Sequence, residues 1–284
     1  MRLPIPILWA YSPSRGSFGK STMSPITALS ESSDVRMADE WFDFAHASHF
    51  WMQRRFEVLQ AMLDDIDLSP LRMAEIGCGS GVVLGQFLEE LGIAIDGFDL
   101  NQSALEHAAK SRPELTLACY DILEERADLR HAYDGLFLLD VLEHIEDDAA
   151  FLRSARAHLK PGGMLALNVP GSMKLFSRYD EIAGHVRRYE PEGLHTLALE
   201  SGFTVDRWSW WGRPFRPFLA LRKHLVRNMK PDNVIRRGFK PPGHITNGIM
   251  RALGRCEHIP QHDTGCSIMM VLRSDAQDTT ADAR

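Results

Sequence analysis

Five side chains in this sequence have types and positions suited to chemistry at a bound ligand. Glu75 precedes a glycine-rich turn, and Asp99 and Asp121 end the next two apolar segments. His144 and His185 follow later, and an imidazole exchanges a proton near neutral pH more readily than other side chains. A carboxylate beside a glycine turn repels a pyrophosphate and attracts a cation. The pattern therefore predicts a site for a cationic ligand, with histidines available for proton transfer.

The glycine turn has the spacing G-x-G-x-G at Gly77, Gly79 and Gly81. Glycine tolerates positive φ angles and lets a ligand approach the backbone closely. A strand that leads through such a turn into a helix predicts a nucleotide-type pocket. Dinucleotide-binding turns read G-x-G-x-x-G instead, with an acid about 20 residues later. A nicotinamide-dependent oxidoreductase is therefore the alternative enzyme, and Glu75 and the glycine spacing count against it.

Alternating strand and helix patterns must position these residues. Such repetition predicts an α/β fold with a doubly wound, seven-stranded, Rossmann-like sheet whose ligand lies beyond the carboxyl ends of the strands. The expected strands are 71–76, 93–98, 115–119, 135–140, 164–169, 203–211 and 267–272. The expected helices between them are 81–91, 102–111, 147–159, which ends at a Lys-Pro-Gly-Gly stop signal, and 190–201.

The remaining segments flank this domain. Residues 1–36 are rich in Ser, Thr and Pro and are expected to be a disordered leader, and 274–284 a disordered tail. The domain itself should comprise 37–211 and 266–273. Residues 40–63 have helical spacing and can form a lid over the pocket, in which Arg54 or Arg55, with His49 and Trp51, would help to close the site.

A basic amphipathic insert at 212–265 precedes the last strand. Residues 213–255 contain 11 Lys and Arg against one acid, although the whole chain has a net charge of −6. Such a segment can cover a substrate cleft or pack on the protein, lie on an anionic membrane, or contact a second copy. No nucleic-acid recognition motif accompanies the charge. Four cysteines without metal-ligand spacing favour a cytoplasmic protein. The protein is expected to be either a monomer or a homodimer.

Several motifs together resemble the class I S-adenosylmethionine-dependent methyltransferases, over about 40–210 and the last strand. They are EIGCGSG, FDLN with Asp99, YDI with Asp121, FLLDVLEHIEDD and LKPGGMLALNVP. DVLEHI and GHVRRY are similar to ubiquinone-type small-molecule O-methyltransferases. The resemblance implies S-adenosyl-L-methionine as cofactor and a small or lipid-linked molecule as methyl acceptor. The basic, amphipathic composition of 213–255 leaves peripheral contact at the inner membrane face as an option.

The resemblance also assigns parts of the cofactor to positions of this chain. Glu75, Gly77, Cys78, Gly79 and Gly81 would form the loop around its methionine part, Asp99 and Leu100 would hold the ribose, Asp121 and Ile122 the adenine, and Leu139 and Asp140 would form the floor. For Asp99 the alternative role is a cap of the following helix, and for Asp121 a turn residue.

Methyl transfer to a hydroxyl needs alignment and the removal of a proton. His185 and His144 are the candidate bases, and each could instead form a hydrogen bond that orders its loop. Asp140, Glu143 and His144 also resemble a carboxylate-x-x-Glu-His arrangement associated with a divalent metal in ubiquinone-type enzymes, so the metal stays open. The predicted function is O-methylation by S-adenosylmethionine. The alternatives are the oxidoreductase and a non-catalytic, cofactor-binding membrane protein.

Overall fold

A computed structural model describes residues 26–33, 46–230, 234 and 243–275 of the chain. Eight strands form one sheet. They are β1 (Thr27–Ala28), β2 (Met73–Ile76), β3 (Asp96–Asp99), β4 (Thr116–Cys119), β5 (Tyr133–Leu139), β6 (Leu159–Pro170), β7 (Phe203–Trp211) and β8 (Ser267–Ser274). Their order is β1-β4-β3-β2-β5-β6-β8-β7; β8 runs antiparallel to both β6 and β7, and the other described strand pairs are parallel. The doubly wound α/β prediction is confirmed, with one strand more than expected.

Eight helices are described around this sheet. They are α1 (Phe50–Met62), α2 (Val82–Gln86, continued by a π-helical turn at Phe87–Leu91), α3 (Gln102–Ser111), α4 (Asp148–His158), α5 (Arg178–Ile182), α6 (Pro191–Glu200), α7 (Arg216–Val226) and α8 (His244–Gly254). The helix expected at 81–91 is therefore only partly α-helical. Among the described residues, no helix combines the length and the hydropathy that crossing a bilayer requires.

Two hydrophobic clusters cover the two faces of the sheet. Alternate residues of β5 show this division: Leu136 and Leu138 belong to one cluster, and Phe137 and Leu139 to the other. This is the pattern of a strand buried on both sides, where successive side chains point to opposite faces. Helices α4 and α6 pack on the first face, and α1, α2 and α3 on the second.

The order of the strands reverses between β2 and β5. From β2 the chain continues outward to β3 and β4, and it then returns to β5 on the other side. A crevice opens beyond the carboxyl ends of strands at such a switch point, and ligands of doubly wound sheets bind there. The turn at Gly77 and the segment after Leu139 therefore meet at the place where the sequence predicts the pocket.

Three boundary predictions need correction. Thr27–Ala28, expected to lie in the disordered leader, pairs in parallel with β4 and so belongs to the sheet. The rest of 1–36, apart from 26–33, lies outside the described residues. Helix α4 ends before the Lys-Pro-Gly-Gly segment as predicted, but β6 begins at Leu159 rather than at 164, because Leu159 already pairs with Tyr133. Ser274 belongs to β8, and the tail beyond residue 275 is not described.

Helices α7 and α8 are the described α-helices of the basic insert, which packs near the start of α1. Phe215, just before α7, is buried against Phe50 and Trp51 of α1, with ring centroids 5.2 and 5.9 Å apart. Asn247 of α8 accepts a hydrogen bond from the backbone N–H of Phe50 (2.8 Å) and donates one to the carbonyl of Ser48 (2.8 Å). The insert thus holds the start of the lid helix, as the packing alternative predicts.

Candidate active site

Gly77 begins the turn that follows β2. Its φ is 73°, and a Cβ atom there would lie 2.5 Å from Cγ2 of Val141, so a larger residue would be both strained and crowded. The N–H groups of Gly77 and Cys78 donate to the carbonyl of Phe98 at 2.7 and 3.0 Å. The turn is thereby fixed between the end of β3 and the segment after β5.

Gly79 lies on the open side of the turn. Apart from its chain neighbours, no heavy atom of the described residues comes within 4 Å of the position that its Cβ would occupy, so a ligand can approach the backbone there. Gly81 is different, because a Cβ on it would lie 2.8 Å from Leu115 and its N–H already donates to the carbonyl of Cys78. Its surroundings indicate that Gly81 shapes the turn and packs on the core rather than contacting a cofactor.

Asp99 ends β3 beside this turn. One carboxylate oxygen accepts the N–H of Gly79 at 2.7 Å, and the other accepts the N–H of Asn101 at 2.8 Å. Helix α3 is capped by the side chain of Asn101, so the capping role considered for Asp99 is wrong. Burial raises the pKa of Asp99. Each oxygen has a second lone pair, and the carboxylate can therefore still accept hydrogen bonds from ribose hydroxyls.

Glu75 is a buried carboxyl group in the middle of the sheet. It is 2% exposed, and within the described part of the chain its Oε2 has no hydrogen-bond partner. Burial raises its pKa to about 8, with Arg55 opposing and the charges of Asp99 and Asp140 adding to the shift. A buried polar atom without a partner is costly. A positively charged ligand group would offset that cost, and the residues present therefore fit the ammonium-bearing cofactor that the sequence implies.

A series of polar contacts connects α1, the helix expected to form a lid, with Asp140 at the expected floor of the pocket. Arg55 of α1 donates to Asp140 Oδ2 at 2.7 Å. The other oxygen of Asp140 accepts from Asn168 of β6, whose own oxygen accepts the indole N–H of Trp211 at 2.7 Å. The indole of Trp51 lies 4.7 Å from that of Trp211. Arg55, rather than Arg54, therefore reaches the pocket from the lid.

The other lid residues have structural contacts. Arg54 donates to Glu257 at 3.2 Å, and the same carboxylate accepts the N–H groups of Gly212 and Arg213, both at 2.9 Å. His49 caps α1 by accepting the N–H of Trp51 at 3.2 Å, and burial lowers its pKa to about 4. The Arg54–Glu257 contact fastens α1 to the insert, and the His49 contact holds the start of the helix itself.

The adenine end of the expected pocket is only partly free. Asp121 caps a short 3₁₀ turn by accepting the N–H of Leu123 at 2.9 Å, which matches the turn role considered for it. Its own N–H donates to the hydroxyl of Ser30 beside β1 at 3.0 Å. Ile122 is buried, and Leu100 packs partly buried against the core. The second oxygen of Asp121 remains available for an exocyclic amine.

His144 and His185 are brought together by the loop after β6. The N–H of Val186 donates to the carbonyl of Glu143 (2.9 Å), and this contact ties the loop to the turn after β5. The two imidazoles stack edge to face with centroids 4.8 Å apart. Burial, followed by the neighbouring His185, lowers the pKa of His144 to about 4. His144 is thus a weak proton acceptor, and His185 is the better candidate for a base.

The donor atoms of Glu143, His144 and His185 all lie within 4.8 Å of one another. Asp140, expected in the metal set, does not join them, because Arg55 and Asn168 hold its carboxylate. Burial, and then the charge of Asp140, keep the pKa of Glu143 well above its ordinary value. The cluster of Glu143, His144 and His185 therefore differs from the metal set considered from the sequence, which contained Asp140 in place of His185.

Two arginines of the GHVRRY motif are committed to carboxylates within the protein. Arg187 pairs with Asp148 and also donates to the carbonyl of Glu146 at 2.8 Å. Arg188 is buried and donates to Asp180 at 2.7 Å. These pairs leave little capacity for an anionic substrate group, so the motif serves mainly to build the loop that carries His185.

The family model for the methyltransferase domain matches residues 46–207, which is over half of the chain. A curated relative, the ubiquinone biosynthesis O-methyltransferase of a Bradyrhizobium species, is 35% identical over 133 residues, which are 45% of this chain and 51% of the relative. The chain spans about half the length of the curated relatives it matches.

Solved structures share the fold at low sequence identity. One is phosphoethanolamine N-methyltransferase 2 of Haemonchus contortus in complex with S-adenosyl-L-methionine, with a TM-score of 0.52 and 18% identity, covering 77% of this chain and 52% of that one. Another is an S-adenosylmethionine-dependent methyltransferase of Mesorhizobium loti, with a TM-score of 0.51 and 16% identity, covering 78% and 97%. On the family match, and with the site it contains, the chain belongs to the class I S-adenosylmethionine-dependent methyltransferases.

Proposed function

We propose that this protein transfers a methyl group from S-adenosylmethionine to an oxygen atom of a small or lipid-linked molecule. The observation that carries the proposal is the unpartnered Oε2 of buried Glu75, next to the open backbone at Gly79 and the carboxylate of Asp99. The nicotinamide alternative predicts a pyrophosphate at this turn, which has no donor to offer the unpartnered Oε2 of Glu75. The O-methyltransferase names of the curated relatives support oxygen as the acceptor atom.

In this proposal, Glu75 and the turn at Gly77–Gly79 hold the methionine part of the cofactor, and Arg55 adds a cation for its carboxylate. Asp99 holds the ribose and Asp121 the adenine. When bound, the cofactor supplies a methyl group already activated by its positive sulfur. The protein must align the acceptor and take a proton from its hydroxyl. His185 is the proposed base, because His144 is held neutral by burial and carries a backbone hydrogen bond to Gly184.

An acceptor screen with methyl-labelled S-adenosylmethionine tests this function. Phenols, catechols, amines and polyprenyl-linked phenols are offered to the wild-type protein, and products are identified by mass spectrometry. We expect a methyl ether, formed much more slowly by His185→Ala. Methylation of nitrogen or carbon alone would contradict the proposed acceptor atom. Tight binding of S-adenosylhomocysteine without any product would favour the non-catalytic alternative.

We further propose that helices α7 and α8 rest on an anionic membrane surface. Phe218, Leu221 and Leu225 lie at helical spacing on one face of α7 and are 50, 57 and 59% exposed. On α8, Ile245 and Ile249 are 82 and 61% exposed. Exposed apolar side chains on a strongly basic segment favour binding at the headgroup level of anionic lipids. Such contact would present the pocket to a lipid-linked acceptor.

Co-sedimentation with vesicles tests the membrane contact. We expect the wild-type protein to pellet with phosphatidylglycerol-containing vesicles and to stay in solution with phosphatidylcholine alone. The double variant Leu221→Asp/Leu225→Asp should lose this binding. Leu199→Asp is the matched control, because Leu199 is a 50% exposed leucine on α6. Equal pelleting of the double variant, or no pelleting of the wild type, would refute the membrane proposal.

A further inference from the structure

Asp180 is a fully buried carboxylate on α5 that accepts four hydrogen bonds. Its Oδ1 accepts from Nε of Arg188 at 2.7 Å and lies 3.1 Å from Nδ1 of His185. Its Oδ2 accepts the N–H of Ser177 at 2.8 Å and the hydroxyl of the same residue at 3.0 Å. The backbone carbonyl of Asp180 also accepts the N–H of His185 at 2.8 Å. Asp180 therefore holds both the main chain and the ring of His185.

The protonation of the ring follows from these contacts. Burial alone would raise the pKa of Asp180, but the hydrogen bond to His185 and the charge of Arg188 lower it to about 2. An ionised carboxylate only accepts hydrogen bonds, so Nδ1 of His185 must carry a proton. In a neutral imidazole, Nε2 then has a free lone pair. This atom lies 3.9 Å from Oε1 of Glu143, on the side of the ring turned toward the turn after β5.

We propose that Asp180 is a positioning residue, which holds His185 in the Nδ1–H tautomer so that Nε2 can accept the proton of the methyl acceptor. The inference rests on the methyl transfer proposed above. Arg188 supports the arrangement by pairing with the same carboxylate oxygen, and it thereby keeps the buried charge of Asp180 compensated. The hydrogen bonds from Ser177 go to the other carboxylate oxygen, Oδ2, which does not contact His185.

The first test reads the tautomer directly. Long-range ¹H–¹⁵N correlation spectra of ¹⁵N-histidine-labelled protein, assigned with His185→Gln, distinguish the two ring nitrogens. We expect protonated Nδ1 and bare Nε2 in the wild type at neutral pH. Asp180→Asn should shift the population toward Nε2–H, because the amide can donate to Nδ1. Ser177→Ala is the matched control: it removes a donor from the other carboxylate oxygen and should leave the tautomer unchanged.

The second test separates positioning from folding. Asp180→Asn should lower kcat roughly 10- to 100-fold, as expected when a general base is misoriented, and leave the affinity for S-adenosylhomocysteine and the KM of the acceptor within about twofold. Ser177→Ala should keep kcat near the wild-type value.

Three outcomes decide the matter. An Nε2–H tautomer in the wild type overturns the inference, and this holds even if Asp180→Asn does not fold. Loss of turnover on chelation, restored by Zn²⁺, would also overturn it, because Nε2 would then serve a metal. If no acceptor in the screen is methylated but the tautomer is as expected, the proposed function fails while the positioning of His185 by Asp180 stands.

Discussion

Replacing Glu75 with Gln should stabilise the protein without cofactor while it weakens cofactor binding. The folded protein holds Glu75 protonated up to a pKa of about 8, whereas the unfolded chain ionises it near the ordinary value of 4.5. A raised carboxyl pKa contributes stability that is fully present below pH 4.5 and is lost as the pH rises toward 8. Glutamine stays neutral in both states and does not suffer this loss.

The size of the effect follows from the separation of the two pKa values. Each pH unit between them corresponds to ~1.4 kcal/mol, so at pH 7 ionisation in the unfolded state lowers the stability of the wild type by roughly 3 kcal/mol. Removing this loss should raise Tm by at most roughly 6–12 °C, given 2–4 °C per kcal/mol for domains of this size. The effect of Glu75→Gln on cofactor binding has the opposite sign. The hydrogen bond between Glu75 and the charged ammonium group of the cofactor contributes about 1.5–3 kcal/mol to the binding free energy, and the substitution weakens it.

Thermal unfolding of the cofactor-free protein from pH 4 to pH 8 measures the first effect, and calorimetric titration with S-adenosylhomocysteine the second. The Tm gain of Glu75→Gln should vanish near pH 4 and grow toward pH 8, and affinity should fall about 10- to 100-fold. Glu200→Gln, at an exposed position on α6, is the control and should change neither quantity. A gain that does not depend on pH, or an unchanged affinity, would refute the reasoning.

Three further substitutions probe the other parts of the site. Asp99→Ala should weaken S-adenosylhomocysteine binding at least about 10-fold in calorimetry, because the ribose loses its acceptor and Gly79 its partner; unchanged affinity would exclude Asp99 from the pocket. His185→Ala should lower turnover roughly 100-fold with the cofactor Kd within about twofold, and equal turnover would remove it as the base. Asn247→Ala should cost about 1–2 kcal/mol in stability and speed hydrogen exchange at the start of α1, where Phe50 and Ser48 lose their partner; protection equal to the wild type would contradict the fastening of the lid by α8.

The parts of the fold and site that the sequence predicted well are set by local patterns. The apolar run before Gly77, the glycine spacing and the acids at the ends of β3 and β4 are short-range signals, and the switch point between β2 and β5 follows from the alternation of strands and helices. From these signals the sequence predicts that Glu75, the glycine turn and Asp99 lie together at the carboxyl ends of the central strands, and the structure places them there.

The features that the sequence did not reveal depend on contacts between distant residues. Arg55 reaches Asp140 across 85 positions, and Phe50 binds Asn247 across 197. Hydrophobic periodicity does not encode such pairs, and neither residue type shows which distant residue it will contact. Asp180 was missed because it lies on α5, a five-residue helix inside a segment that the sequence predicts only as a loop. The two-residue strand β1 was missed because its pairing with β4, rather than its own composition, orders it.

The most direct test of the account is calorimetric titration of the wild-type protein with S-adenosylhomocysteine and, separately, with NADH. We expect one saturable site for S-adenosylhomocysteine and no heat of binding for NADH, because the unpartnered oxygen of buried Glu75 can accept from an ammonium group, whereas a pyrophosphate offers it no donor. Saturable binding of NADH, or the absence of binding by S-adenosylhomocysteine, would contradict the central claim that this pocket holds a cationic, phosphate-free cofactor.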